Sequence, residues 1–549
     1  VDIKQIKEQG SALFSKRMQL LSLWQAISEN FYPERADFTV VRNLGREFAN
    51  NLMTSYPVMA RRDLGNALGS MLRPTSKEWK HIRTRNYEDV DRDGRAWLEK
   101  ATKVMTRAMY DKNTQFTRAT KEGDHDFAAF GQCCIQLTLN RQANGLLYRC
   151  WHLRDVAWRE NDEGVIDTIY RKWKPAAIDL VQLFPKTVHA KVKEAVEKTP
   201  HKEIDVWHII LAAENYQSVG GKEIKTPFVS IYYDVENDTV MEEVGVKDKQ
   251  YTIPRWSTVS GSQYAYSPAT VCGLPDARLI QSMTRTLMEA GEKAVTPPML
   301  ATQEAIRSDI SLYAGGITWV DADYDERLGE VLRPISQRTD GIPLGMEMMR
   351  DTRVMISEAF FLNKLALPSP GSDMTAYEVG QRVQEYIRQA MPLFEPMEAE
   401  YNAPLCEMTF DILMRSGAFG SPFELPDSIR GQEIEFFFES PLHDAVEREK
   451  GQRFLEAQSM LAQAVNLDPS SAFLVDAKTA LRDVLNGIGV PTAWTRSEAD
   501  VQALVDKQEQ QVQTQQLLAN MQAGAGVAKD LGAAGLGGQS TVNRQDFRQ

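Results

Sequence analysis

Cysteine is scarce in this chain: five in 549 residues, Cys133, Cys134, Cys150, Cys272 and Cys406, odd in number and widely scattered. That argues against a disulfide framework and suits a reducing compartment. No apolar run approaches the roughly 18 residues that a membrane-spanning helix needs. The opening "VDIKQIKEQGSALF" also lacks the basic-then-apolar pattern of a secretory signal. A protein made and kept in a cytoplasm, with no membrane partner, is the expectation. No phosphate loop of the form G-x-x-x-x-G-K-[ST] occurs, since Gly220-Gly221-Lys222 runs into Glu223 without the earlier glycine. A G-x-S-x-G nucleophile elbow is missing too, and the glycines of "GAGVAKDLGAAGLGG" do not complete a dinucleotide fingerprint after a strand. Positive charge is in deficit. The 63 Lys and Arg against 75 Asp and Glu leave a formal charge of −12, which argues against a surface that grips polyanions throughout.

The remaining candidates for chemistry are sparse. In "EGDHDF" the residues Asp124, His125 and Asp126 adjoin, but neighbours on a helix point in different directions and no second His or Cys lies at ligand spacing. A surface or capping role is expected for them. His152, His201 and His208 stand alone, and the acidic run "DADYDERLGE" reads as a solvated face. No catalytic residue, metal or cofactor is expected.

The length allows about three to four domain-sized units, and the pattern along it predicts an α+β chain, mainly helical. The first 130 residues read mostly as helices, broken at "FYPERADF" and "MLRPTSKEW". Short strands follow in "CCIQLTLN", "LLYRCWHL" and "VIDTIYRKW", with Cys133 and Cys134 in a buried strand. A helical pattern returns in "AAIDLVQLF" and "TVHAKVKEAVEK" and stops at Thr199-Pro200. A second β-rich stretch, 200–273, includes "EIDVWHIIL" and "FVSIYYDV". Leu279, Met283 and Leu287 then recur at helical spacing in a helix closed by Thr296-Pro297-Pro298. The β module framed by two helices is expected to project from the body. The Gln-rich and then Gly/Ala-rich C-terminus reads as a helix fraying into a disordered tail over 521–549.

The stretch "LNKLALPSPGSDMTAYEVGQRVQEY" stops one helix and starts another. Upstream, Leu344, Met348, Thr352, Met355, Ala359 and Leu362 recur at helical spacing, which predicts an amphipathic helix. Downstream, Thr375 and Glu378 form a capping box and Met374 and Val379 a hydrophobic staple. Apolar spacing then runs from Val379 to Tyr401 in a long helix that Pro392, Pro396 and Pro404 must kink or interrupt. Taken locally, the stiff loop between is an ordinary helix–helix connection.

In its order of elements, and in the stretches "LLSLWQAISENFYPERADF", "DLGNALGSMLRPTSKEWKHI", "NTQFTRATKEGDHDFAAFGQCCIQL", "DARLIQSMTRTLMEAGEKAV" and "SDMTAYEVGQRVQEY", the chain resembles the portal proteins, or head-to-tail connectors, of short-tailed bacteriophages. The stretches span roughly residues 20–420. The resemblance implies a non-enzymatic homo-oligomer, usually a ring of twelve, at one capsid vertex of the virion, assembled in the host cytoplasm. Double-stranded DNA would pass through it without sequence specificity during packaging and ejection. It further implies a wing over 1–175 and 298–439, stem helices at 176–199 and 274–297, a clip at 200–273 and a helical crown at 440–520. The terminase packaging motor, the tail adaptor and tail proteins, and capsid and scaffolding proteins are the implied partners. Ala366, Leu367, Pro368, Ser369, Pro370, Gly371, Ser372 and Asp373 fall where the family carries its DNA-facing tunnel loop.

A channel must let DNA slide, so many tight phosphate contacts would be counterproductive. Arg278, Arg285 and Lys293 are candidate channel cations; alternatively, with Asp276, Glu289 and Glu292 on the same helix, they pair between subunits. Two other readings stay open. One is a metal-dependent nuclease using carboxylates such as Asp321 and Asp323; the other is a different phage structural protein, a scaffold or an internal ejection protein.

Overall fold

Asp2 opens the first helix, α1 (Ile3–Lys16), because its carboxylate accepts from the backbone N–H groups of Lys4 at 3.0 Å and Gln5 at 3.4 Å. The computed structural model describes residues 2–41, 52–74, 78–87, 90–301, 332–334, 341–365, 397–421, 425–438, 457–462, 480–481 and 501–515. The chain divides into two units: Val1–Arg85, Leu98–Glu424 and Gln432–Val446 form one, and Asn86–Trp97, Leu425–Gly431 and Glu447–Gln549 the other. In the second, Asp91 accepts from Gly94 N–H at 2.7 Å and bonds the Ser428 hydroxyl, and residues 457–462 and 501–515 are helical.

Within the first unit the helices α2 (Met18–Phe31), α3 (Tyr56–Leu72) and α5 (Phe116–Phe130) pack together; α4 (Arg92–Met109), between α3 and α5 in the chain, belongs to the first unit only from Leu98 onward. The breaks expected at "FYPERADF" and "MLRPTSKEW" fall at the ends of α2 and α3. An unexpected strand, β1 (Lys80–Thr84), pairs antiparallel with β12 (Ile434–Phe438), more than 300 residues away.

Two antiparallel sheets hold the centre. β2 (Cys134–Leu139) lies between β3 (Leu146–Trp151) and the short β9 (Tyr251–Thr252). The second sheet has five strands in chain order: β4 (Val156–Glu160), β5 (Ile166–Trp173), β6 (Val206–Ala212), β7 (Phe228–Asp234) and β8 (Thr239–Val246). Cys133 and Cys134 are buried where β2 begins, as expected.

β6, "VWHIILA", is buried on both faces, which accounts for its near-continuous apolar run. Trp207, Ile209 and Leu211 face α1, joined by Ile6, Leu13 and Tyr170 and by Tyr216 from α8 (Ala213–Ser218). Gly10 lets α1 approach, because a Cβ there would lie 2.5 Å from the Trp207 ring and 2.8 Å from that of Tyr170. On the opposite face Val206 meets the apolar sides of α6 (Ala177–Leu183) and α7 (Ala190–Lys198), including Leu180, Phe184 and Val192.

Two expectations change. Residues 200–273 are not a separate projecting module: β6 pairs with β5 along Val206–Leu211, and β9 pairs with β2. A strand apolar on both faces needs neighbours, and it finds them in the preceding segment. Residues 176–199 are not one stem-length helix but two short ones, broken between Phe184 and His189, that cap the sheet.

α9 (Leu274–Val295) follows a π-helical turn at Ala269–Gly273 and packs on α10 (Gly341–Ala359). Between them in sequence, β10 (Met299–Ala301) pairs antiparallel with β11 (Leu332–Pro334). α11 (Leu362–Leu365) is short, and a second π-turn, Glu398–Asn402, leads into α12 (Ala403–Arg415). Pro404 follows directly on that π-turn, in the first turn of α12. No helix among the described residues is long and apolar enough to cross a membrane.

Candidate channel and assembly elements

The loop Ala366–Asp373 and its cap, Met374, Thr375, Glu378 and Val379, lie outside the described residues, as do Asp321, Asp323 and the segment 521–549. The three cations of α9 are described, and all are exposed. Arg285 Nε donates to Glu289 Oε1 at 3.1 Å, one turn along, which is pairing within the chain on a solvated surface. Arg278 lies two turns before Arg285 on the same side, and Lys293 just past the next such position.

α9 and α10 are rooted at one end. Leu274, Ala277 and Ile280 of α9 and Thr352, Ile356 and Phe360 at the end of α10 are buried, with the Phe31 and Phe360 rings 5.2 Å apart. Gln281 ties α9 to the chain before α3: its Oε1 accepts from Met53 and Thr54 N–H at 2.6 and 2.9 Å, and its Nε2 donates to Thr54 O. Tyr56 and Ser357 share a hydroxyl contact at the same root. Further out the helices hold each other: a Cβ at Gly345 would come within 2.7 Å of Leu287, and Thr284 Oγ1 approaches Met349 Sδ at 3.4 Å.

The apolar stripe read on α10 is largely uncovered within its own chain. Thr352 is buried, but Leu344 is 61 % exposed and Met348 and Met355 51 % each. On α9, Leu279, Met288 and Val295 are exposed as well. Leu279 and Met288, nine residues apart, project from opposite flanks of their helix, and so do Met346 and Met348 on α10. The periodicity identifies two amphipathic helices. It cannot say which chain covers their apolar sides.

"EGDHDF" is corrected in the same way. Asp124 and Asp126 are buried, not surface residues, because α5 is enclosed on several sides and each residue meets a different partner. Arg35 donates to both Asp126 oxygens, from Nε at 3.0 Å and Nη2 at 2.8 Å. Asp124 pairs with Arg73 and accepts from Tyr401 Oη at 3.0 Å, while Arg73 Nη1 donates to Asn402 Oδ1 at 2.8 Å. Burial alone would lower the Arg73 guanidinium, but the Asp124 carboxylate more than offsets it and the guanidinium stays charged. Glu400, one residue before Tyr401, accepts from Arg255 Nε at 3.2 Å and Nη2 at 3.0 Å, and Arg255 Nη1 also reaches Glu160 at 3.0 Å. Three successive residues of the second π-turn thus grip two arginines and a carboxylate from elsewhere in the fold. No spacing signal could have found these partners.

Between the sheets, Arg171 Nε donates to Tyr251 Oη at 2.8 Å. An arginine can only donate, so the Tyr251 O–H donates to His208 Nδ1, and His208 Nε2–H donates to Ser230 Oγ at 2.9 Å. Burial, with Arg171 close by, holds the His208 imidazole neutral, well below its usual range. The arrangement is a buried polar pillar in which the Arg171 guanidinium also lies over the Trp151 ring at 3.8 Å, its Nη1 having no hydrogen-bond partner among the described residues. Among the described residues no group of three or more His, Cys, Asp or Glu is placed to hold a metal ion.

Residues 3–495 match the family model described as bacteriophage head to tail connecting protein. The chain is 24 % identical to the probable portal protein of Bordetella phage BPP-1 over 442 residues, covering 79 % of this chain and 78 % of that one. It is 20 % identical to the portal protein of Salmonella phage epsilon15 over 537 residues, covering 96 % and 95 %. With its α+β fold, its exposed two-helix element and a match over nearly its whole length, the chain belongs to the family of bacteriophage head to tail connecting proteins.

Proposed function

We propose that this chain is a phage portal protein whose copies close into a ring, usually of twelve, at one capsid vertex, with double-stranded DNA passing through the hole. The observation that carries the ring is the α9/α10 pair, which holds exposed apolar side chains on opposite flanks. A patch on one flank suits a dimer, whereas two flanks each need a neighbour, which is the requirement of a head-to-tail interface that closes.

In this reading α9 and α10 are the stem, and the segment between them, with β10 and β11, is the clip that meets packaging motor and tail adaptor. Residues 176–199 then cap the wing sheet. The tunnel loop stays at 366–373, directly after the helix that follows the stem, and the crown at 440–520. Arg278 and Arg285 are occasional phosphate contacts at most, since the Glu289 carboxylate already occupies Arg285. The terminase motor supplies the ATP turnover; this chain has none, and capsid, scaffolding and tail proteins bind its outside.

Native mass spectrometry with negative-stain imaging tests the reading. A ring with a central hole and a mass near twelve times 62.0 kDa is expected. A chain that stays monomeric or dimeric at high concentration, with and without scaffolding protein, or that cleaves DNA with Mg²⁺, would overturn it.

A further inference from the structure

Helix α10 carries two stripes of opposite charge. Leu344, Met348, Asp351, Met355 and Glu358 follow one another at intervals of four, three, four and three residues, so they share one flank. Met346, Arg350 and Arg353 follow the same rule on a flank roughly half a turn away. All eight are exposed. The first stripe is apolar and doubly acidic, the second apolar and doubly basic. Among the described residues none of Arg350, Asp351 and Glu358 has an ion-pair partner in its own chain, and Arg353 only overlies the Tyr56 ring at 5.7 Å.

Resting on the ring reading above, we propose that the acidic stripe of α10 docks on the basic-flanked side of the helix pair in the next copy of this chain, so that charge sets the direction and register in which copies add. Two like stripes face to face would place acid on acid or base on base, which disfavours an isologous dimer. Head-to-tail addition places acid on base at every contact, and this can continue until the ring closes. The methionines suit the same contact. Unbranched and polarizable, they repack when neighbouring copies differ slightly in angle.

Two variants test the assignment. Asp351→Lys with Glu358→Lys makes both flanks basic, and Arg350→Glu with Arg353→Glu makes both acidic. Each is expected to raise the protein concentration needed for half-assembly at least about tenfold, with circular dichroism and melting temperature unchanged because all four side chains are exposed. The chain carrying all four changes restores acid against base and is expected to form rings again. An equimolar mixture of the two double variants is expected to do so too, with the variants alternating and an even number of copies. If each double variant forms rings as readily as the unmodified chain, or if neither the fourfold variant nor the mixture recovers, the inference fails while the portal reading stands. If the unmodified chain forms no ring, both fail together.

Discussion

At the scale of single residues, buried charge in this fold is answered by specific partners. Arg73 and Asp124 are each about one-twentieth exposed or less, so removing one side leaves the other charged and dry. Arg73→Met is expected to cost about 3–5 kcal/mol in urea unfolding, whereas Arg73→Met with Asp124→Leu should recover much of that loss. A double variant no more stable than the single would show that the cost does not come from a carboxylate left buried and unpaired. Histidine gives a pH effect with a definite sign. Burial, then the Arg61 and Lys121 charges, push the His125 imidazolium down from 6.5 to about 4, and His208 lies low as well. The unfolded chain takes up these protons near pH 6.5 and the folded one does not. Stability is therefore full above 6.5 and falls as the pH drops toward 4. His125→Leu should flatten that fall, read as the urea midpoint between pH 7 and 5; an unchanged slope would assign the acid sensitivity elsewhere. Asp37, held low by His152 and Arg154 against the opposing pull of burial, loses its contribution only in a lower window, below its ordinary 3.8. At this scale the sequence was least legible. "EGDHDF" reads as polar surface until Arg35 and Arg73 arrive from distant helices.

Elements were more legible, because period and punctuation are local. α9 ends at Val295 beside Thr296-Pro297-Pro298, and the stretches read as strands in 134–173 are strands. Two kinds of feature escaped. β1 is only five residues long and is stabilised by a partner more than 300 residues further along the chain, so nothing near it announces a strand. α10 was amphipathic as expected, but amphipathicity does not say whose core the apolar side enters. Packing distance also hides in sequence. Gly10 looks like a weak spot in α1, since glycine costs roughly 1 kcal/mol against alanine within a helix. The structure reverses that expectation: a methyl there strikes two rigid rings. Gly10→Ala should destabilise by about 1–3 kcal/mol despite the better helix propensity, and a rise in melting temperature would show that α1 can back away from Trp207.

For the whole molecule, the five-stranded sheet decides how the chain can be cut. The sequence placed a β-rich stretch between helical patterns and made it look like an insertion, because the boundaries at Thr199-Pro200 and before α9 are sharp. Pairing ignores those boundaries. β5 bonds β6 from Thr168 with Leu211 to Trp173 with Val206, and Tyr251 joins β2 while holding the Arg171–His208 pillar. Replacing 200–273 by a short flexible linker would remove three of the five strands, β6, β7 and β8, and β9 from the other sheet, leave Tyr170 and the α1 face of Ile6 and Leu13 without cover, and turn β5 into an apolar edge prone to aggregation. The excised chain is expected to be insoluble, or to lose cooperative unfolding altogether. An independent insertion would instead leave a soluble remainder that melts at the temperature of the intact protein. That outcome, measured by calorimetry, would return 200–273 to the role of a projecting module and make 176–199, rather than α10, the stem partner of α9.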